Sequence, residues 1–363
     1  PTGIKHGTVT VLIDKNPYEV TTYRVDGEYL NNRKPKDVKF VSNIEEDLSR
    51  RDFTINAMAY SPYLGFKDCF NGKEDLKNKL IRCVGDPDKR FSEDALRMLR
   101  AIRFSCQLNF KIEKLTAESI RKNFKLIKNI SMERIQNEFT KIILSNDPDR
   151  GLMLLRKLGF SDFLVEEFKN LKLINCYDLY DDIHDTYGLI NSLPKKLHVR
   201  LAGLFYKVFN SENAVEKCRT ILKKLKYDNN TINDTCNLVE NINNISCNMT
   251  RKKLKLLINS VGTENIFDLL DLQKSYLSYM DEYDTECIDI LKNRVSDILA
   301  SKEPIFIKDL AITGNDLITE LNYKPGKNIG VILNFLLENV MQTPELNNKE
   351  DLLNLSKQFY SYN

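Results

Sequence analysis

Two short runs carry residue types that could do chemistry together: Arg50-Arg51-Asp52-Phe53-Thr54-Ile55-Asn56-Ala57 and Glu93-Asp94-Ala95-Leu96-Arg97. A guanidinium is a planar fork of donors that meets phosphate oxygens in pairs, so Arg50 and Arg51 suit a triphosphate. Asp52 and Asn56 can accept from or donate to ribose hydroxyls. In the second run, a helix that starts with Ser92 as its N-cap would set Asp94, Arg97 and Ala101 on one strip, because steps of three and four residues return to nearly the same angle. A carboxylate only accepts and a guanidinium only donates. The pair therefore matches cytosine, whose N4 amino group lies beside the N3 acceptor, and adenine, whose N6 amino group lies beside N1. Uracil and guanine would turn a carbonyl toward the carboxylate and set acceptor against acceptor. A matched bidentate base contact discriminates by roughly 1–3 kcal/mol, and polar groups left unpaired reject the wrong analogue. The plainer reading is an i,i+4 ion pair between Glu93 and Arg97 on a solvated face. The pentapeptide by itself fits that better; beside residues 50–57 it reads as part of a nucleotide site.

Both runs resemble motifs of the class II tRNA nucleotidyltransferases, a family shared with bacterial poly(A) polymerases. There a motif R-R-D-F-T-I-N-A contacts the incoming ribose and E-D-x-x-R selects the base, and neither is mismatched here. Residues 8–24 resemble the family's strand pair beside the metal site, and Arg33-Lys34-Pro35 falls in its flexible loop. Gly72, Asp75 and Leu76 match G-x-x-D-L, the run opening with Glu133-Arg134 resembles the next helix, and residues 308–330 look like the tail. The resemblance implies an α+β chain: a nucleotidyltransferase (polymerase-β-like) head with a mixed sheet over residues 1–85, then an all-α neck (86–146), body (147–302) and tail (303–363). It implies addition of C, C and A from CTP and ATP to the tRNA 3′ end, with Mg²⁺. Asp52 goes to the ribose, nucleotide contact extends to Asn56 and Arg100, and Glu19 becomes the catalytic, metal-holding carboxylate. Lys324 and Lys327, beside Gly326 and Gly330, become tRNA contacts. Enzymes that add only A or only the C residues, and poly(A) polymerases, share these motifs and stay open as alternatives. The family's G-G-x-x-R-D and D-x-D motifs precede a stretch like the opening PTGIKHGTVTV. The head is thus expected to lack its N-terminal part and this chain to transfer little, with a non-catalytic tRNA-binding remnant as the competing expectation.

The elements that would position these residues change character along the chain. Residues 8–13 alternate Val9, Val11 and Ile13 against Thr8, Thr10 and Leu12; Asp14-Lys15-Asn16-Pro17 supplies turn chemistry, and residues 18–24 return as a second strand carrying Glu19. Residues 31–39 are polar and basic, a mobile connection by composition. From Ser92 onward the pattern is helical, with Ala95, Met98, Leu99 and Ile102 on one apolar face. Breaks are expected at Asn146-Asp147-Pro148-Asp149 and near Ser301-Lys302-Glu303-Pro304.

Composition bounds the rest. The 363 residues, 42% of them hydrophobic, are enough for two or three domains with real cores. No apolar run spans a bilayer and no signal peptide is evident, which points to the cytoplasm. The net charge of +3, from 54 Lys and Arg against 51 Asp and Glu, permits a nucleic-acid partner only through clustering. Eight cysteines without a C-x-x-C pair are expected to be free thiols. His184-Asp185 begins an HD-type metal pattern, but Phe205-Tyr206 stands where a second pair would follow, so that activity is not expected. Oligomeric state is not legible.

Overall fold

The computed structural model describes residues 7–27, 29–30, 34–160, 188–209, 213–279 and 285–362. His184-Asp185 and Arg33 lie outside them. The chain opens with an antiparallel hairpin, β1 (Thr8–Ile13) and β2 (Asn16–Thr21), in the register Thr10↔Glu19. Asp14 and Lys15 hold φ of 51° and 65°, the left-handed pair that a two-residue hairpin turn needs to match strand twist. The second strand stops at Thr21, three residues short of the expectation, and Arg24 instead opens β3 (Arg24–Asp26), which pairs with β6 (Val38–Phe40). Between them β4 (Tyr29–Leu30) pairs with β5 (Lys34–Pro35), so the basic connection is itself partly a hairpin.

Helix α1 (Ile44–Ser49) follows, capped by the Asn43 side chain accepting from Glu45 N at 2.9 Å, with acids in its first turn. A 3₁₀ turn (Thr54–Asn56) leads to the hairpin β7 (Met58–Ser61) and β8 (Gly65–Asp68), then α2 (Gly72–Lys77) and β9 (Leu80–Ile81). β9 pairs in parallel with β10 (Lys111–Ile112). The described strands pair two by two, four pairs antiparallel and β9 with β10 parallel, where one mixed sheet was expected; eight of the ten are only two to four residues long.

Helices α3 (Pro87–Glu93) and α4 (Leu96–Leu108) replace the single helix expected from Ser92. Pro87 at the first helical position and Asp86, whose side chain accepts from Asp88 N, start the first helix earlier than the apolar pattern suggested. Ser92 lies in its last turn, Oγ bonded back to Lys89 O at 2.8 Å, and Asp94 breaks the helix with φ −136° and ψ 103°. After β10 come α5 (Lys114–Asn123), α6 (Met132–Ile143) and α7 (Pro148–Lys157). α4 buries Met98, Leu99 and Ile102 against Ile135, Phe139 and Ile142 of α6, the 3.6-residue stripe that makes both helices amphipathic.

The remainder is helical, from Leu189–Ser192 to Lys349–Tyr362. One hydrophobic core runs from Phe53 through α4 and α6 to Leu352 near the end. Arg200, 2% exposed, ties the helix Leu197–Phe209 to α6 by donating to Ile143 O (2.7 Å) and Ser145 O (2.9 Å), carbonyls at the C-terminal end of α6 that the helix itself leaves unpaired. The cysteines depart from the all-thiol expectation: Cys247 and Cys287 form a disulfide, their Cα atoms 5.5 Å apart, brought together by helix packing across 40 residues that spacing does not encode. No described helix is long and apolar enough to cross a membrane.

Candidate functional site

Arg50 and Arg51 leave the C-terminal end of α1 and meet different surroundings. Arg50 is 17% exposed: Nη2 donates to Asp47 Oδ1 at 2.7 Å, Nε donates to Asp47 Oδ1 and Arg24 O, each at 3.1 Å, and Nη1 lies 3.8 Å from Asp26 Oδ2. Burial alone would raise the Asp47 carboxyl, but the Arg50 hydrogen bond and charge, with Arg24 N and Arg51, hold it below the usual carboxylate range. Arg51 is 45% exposed and touches Asp47 only at 3.4 Å. Of the pair, Arg51 is the one available to a phosphate.

Asp52 is buried. Its Oδ1 accepts from Phe53 N (2.9 Å) and Asn56 Nδ2 (3.2 Å), and its Oδ2 from Arg100 Nε at 2.7 Å. Asp52, Asn56 and Arg100 are thus one cluster, and the 3₁₀ turn that makes it is anchored from below. Thr54 Oγ1 donates to the buried Asp75 carboxylate at 2.6 Å, which also accepts from Arg82. Gly72 is required there, since a Cβ would stand 2.4 Å from Thr54 O.

Asp94 and Arg97 do not share a helical strip. Asp94 sits in the break between α3 and α4, where its carboxylate accepts from Leu96 N (3.1 Å) and from both Nη atoms of Arg134 on α6, at 2.9 and 3.4 Å. Arg97 is 8% exposed and braced: Nη1 donates to Glu93 Oε2 (2.8 Å) and Arg90 O (3.2 Å), and Nη2 to Arg50 O at 2.8 Å. The Glu93–Arg97 pair therefore exists, but turned inward, where it fixes a guanidinium that also grips the arginine run. Ala101, fully buried, faces the core. A cleft of about 590 Å³ opens beside this junction, lined by Asp26, Gly27, Arg50, Lys89, Arg90 and Glu93. It adjoins Asp52 and Asp94 without including them.

Phosphoryl transfer calls for divalent cations held by several oxygens. Glu19 is exposed on β2 opposite Thr10, and among the described residues no group of three or more His, Cys, Asp or Glu could hold a metal ion. Glu19 alone supplies too few oxygens to hold such a cation. Nearer the C-terminus, Lys324 and Lys327 are exposed. Gly326 immediately precedes the helix Lys327–Gln342, Gly330 lies inside it, and Gly314 lets the preceding helix approach, since a Cβ there would meet Ile329 Cγ2 at 2.9 Å. The sequence singled out neither Asp47 nor any partner for Asp75 and Arg134, although the last two stand in its matched runs. Asp47 carried a signal, three and four residues ahead of Arg50 and Arg51; Arg134 reaches Asp94 across 40 residues, which no local pattern encodes.

Three family models match the chain: a poly A polymerase head domain over residues 1–82, a probable RNA and SrmB-binding site of polymerase A over 109–172, and a putative tRNA nucleotidyltransferase domain 2 over 204–355. The CCA-adding enzyme of Ligilactobacillus salivarius is 34% identical over 98% of this chain and 82% of its own length. The chain belongs to the CCA-adding enzyme family. Another member, from Pediococcus pentosaceus, is 35% identical over 97% of this chain and 82% of that one. The family fold is also seen directly: the crystal structure of the Bacillus stearothermophilus CCA-adding enzyme in complex with CTP superposes with a TM-score of 0.79 at 27% identity, covering 99% of this chain and 84% of that one. A Thermotoga maritima CCA-adding enzyme complexed with tRNA shares the fold at a TM-score of 0.56 and 19% identity, over 98% of this chain and 80% of that one.

Proposed function

We propose that this protein adds C, C and A to the 3′ end of tRNA from CTP and ATP, with the base chosen by its own side chains. In each step the tRNA 3′ oxygen bonds to the α-phosphorus, the bond from that phosphorus to its bridging oxygen breaks, and pyrophosphate leaves. One observation carries the reading: the Arg97 Nη2–Arg50 O bond, 2.8 Å, locks the base-reading junction to the run 50–56. Base, ribose and phosphate contacts then belong to one rigid unit, and orientation of that kind is where such catalysis gains most. Asp94, held by Arg134, accepts from the N4 or N6 amino group, and Arg97 presents its fixed guanidinium to the ring nitrogen. Asp52, Asn56 and Arg100 take the ribose, and Arg51 the triphosphate. Mg²⁺ is the proposed cation with Glu19 as one candidate ligand, and Lys324 and Lys327 the proposed tRNA contacts of the tail. The division at 85, 146 and 302 into head, neck, body and tail is part of the same proposal, supported by helix starts at Pro87 and Pro148 and a helix end at Ala300.

The test is to incubate the complete gene product with tRNA lacking its 3′ CCA, all four nucleoside triphosphates and Mg²⁺, and to sequence the products. Ends extended by CCA are expected. A lone A, two C residues or a run of A would move the protein to the corresponding relative, and unextended tRNA would contradict an enzyme.

A further inference from the structure

The hairpin of β7 and β8 leaves the nucleotide site two residues after Asn56 and turns an unusual face to solvent. One side does ordinary work: Ala59, with Cys69 and Phe70, packs on the small core of Leu48, Ala57 and Val84. On the opposite side Tyr60 and Phe66 are cross-strand partners, 73% and 46% exposed, where a solvated hairpin face ordinarily carries polar residues. Lys73 Nζ lies 4.6 Å from the Phe66 ring centroid, while Lys67, cross-strand from Ala59 on the other side, reaches Glu45 Oε2 at 3.9 Å. At the tip Tyr63 and Leu64 are 95% and 89% exposed. The tip is shaped all the same: Tyr63 N and Leu64 N donate to Ser61 Oγ at 3.2 and 3.4 Å, and Gly65 takes φ 71° to close the turn. Asp68, the nearest acid on β8, is consumed in capping α2, accepting from Gly72 N and Lys73 N at 2.9 Å each.

We propose that this hairpin is a stacking platform for unpaired bases of the RNA substrate, with Tyr60 and Tyr63 as base-stacking residues and Lys73 meeting the backbone. The inference rests on the reading of the protein as a tRNA-extending enzyme. An ordered hairpin that leads out of the site and carries exposed aromatic rings with one lysine against them fits single-stranded nucleic acid, since every base has a face to stack on a ring and the ammonium can meet a phosphate. A second copy of the chain would pair ring with ring and gain nothing from Lys73.

The experiment measures binding of tRNA ending in an unpaired 3′ strand by fluorescence anisotropy across a salt series. It compares wild type, Tyr60→Ser/Tyr63→Ser, Tyr60→Phe/Tyr63→Phe and Lys73→Gln, each checked for an unchanged melting temperature. The serine variant is expected to lose affinity roughly fivefold or more with the salt slope unaltered. The phenylalanine variant should bind as wild type, and Lys73→Gln should shallow the slope. Wild-type affinity and slope in the serine variant would overturn the platform while leaving the enzyme reading intact; no tRNA binding by wild type would overturn the enzyme reading itself. A concentration-dependent dimer in sedimentation that the serine variant abolishes would assign the face to self-association and overturn the proposal.

Discussion

The two arginines that open the first run differ in what their loss should cost. Arg50→Ala strips the buried Asp47 carboxylate of its main partner, a change of the kind that costs about 3 kcal/mol, whereas Arg51→Ala leaves an exposed site and should stay within about 0.5 kcal/mol. Urea denaturation of the two variants separates them. The nucleotide effect should run the other way, with Arg51→Ala raising KM for CTP and ATP while the fold stands. Equal destabilisation would mean that Arg51 is also a structural residue. Arg97→Ala should carry both penalties, because it leaves Arg50 O without its donor as well as removing the proposed base contact; about 2 kcal/mol of stability should go with it. The types of all these residues were legible in the sequence, since donor and acceptor inventories belong to the side chain. Most of their partners were not: the i,i+3 spacing points Arg50 at Asp47, but nothing local says that Arg50 also meets Arg24 O, or that Asp94 meets Arg134 rather than sharing a strip with Arg97.

At the scale of elements, the junction between α3 and α4 shows where periodicity runs out. The apolar spacing of Met98, Leu99 and Ile102 was correct for α4, but periodicity reports a face and not a boundary, and it carried the helix through Asp94, where the backbone is extended. That break aims the carboxylate off the helix surface and lets Arg134 reach it. Farther along, the helix Arg251–Val261 is tied to Glu303, just after the helix Glu286–Ala300, and to the helix Lys327–Gln342 by a charge cluster the sequence did not reveal. Lys255, 1% exposed, pairs with Glu303 and donates to Met341 O at 3.1 Å, and Arg251 Nε donates to Glu303 at 3.1 Å. The Arg251 hydrogen bond, outweighing burial and aided by Lys255, holds the Glu303 carboxyl at about 2, below its ordinary 4.5. A depressed carboxyl contributes stability that is fully present above its unfolded value and lost as pH falls through the folded one. Acid titration should therefore remove this contribution between about 4.5 and 2 in wild type, and Glu303→Ala should lack that increment. The variant should also lose about 3 kcal/mol through the stranded Lys255 charge, much of it regained in Glu303→Ala/Lys255→Met. An unchanged melting temperature in the single variant would show that the cluster is not a structural tie.

For the whole molecule, the overall order of a β-rich start and a long helical remainder was readable from composition and period, while the two-by-two pairing of strands and the Cys247–Cys287 bond depend on contacts far apart in sequence. A nearly balanced charge, +3 over 363 residues, means that tRNA binding must come from local clusters, and the exposed Lys324 and Lys327 are candidates. If each meets a phosphate, log affinity should fall linearly with log salt, and Lys327→Gln should shallow the slope by roughly 0.7 to 0.9; an unaltered slope would place the contact elsewhere. The central claim is that base choice resides in the junction around Asp94. The most direct measurement is the ratio of kcat/KM for CTP and ATP to that for UTP and GTP, in the complete gene product and in its Asp94→Ala variant, with tRNA substrates awaiting C or A. We expect the ratio to fall by roughly tenfold or more, the order of one lost bidentate base contact, with melting temperature held within a few degrees. A variant that was slower but kept the wild-type ratio would contradict selection by this carboxylate.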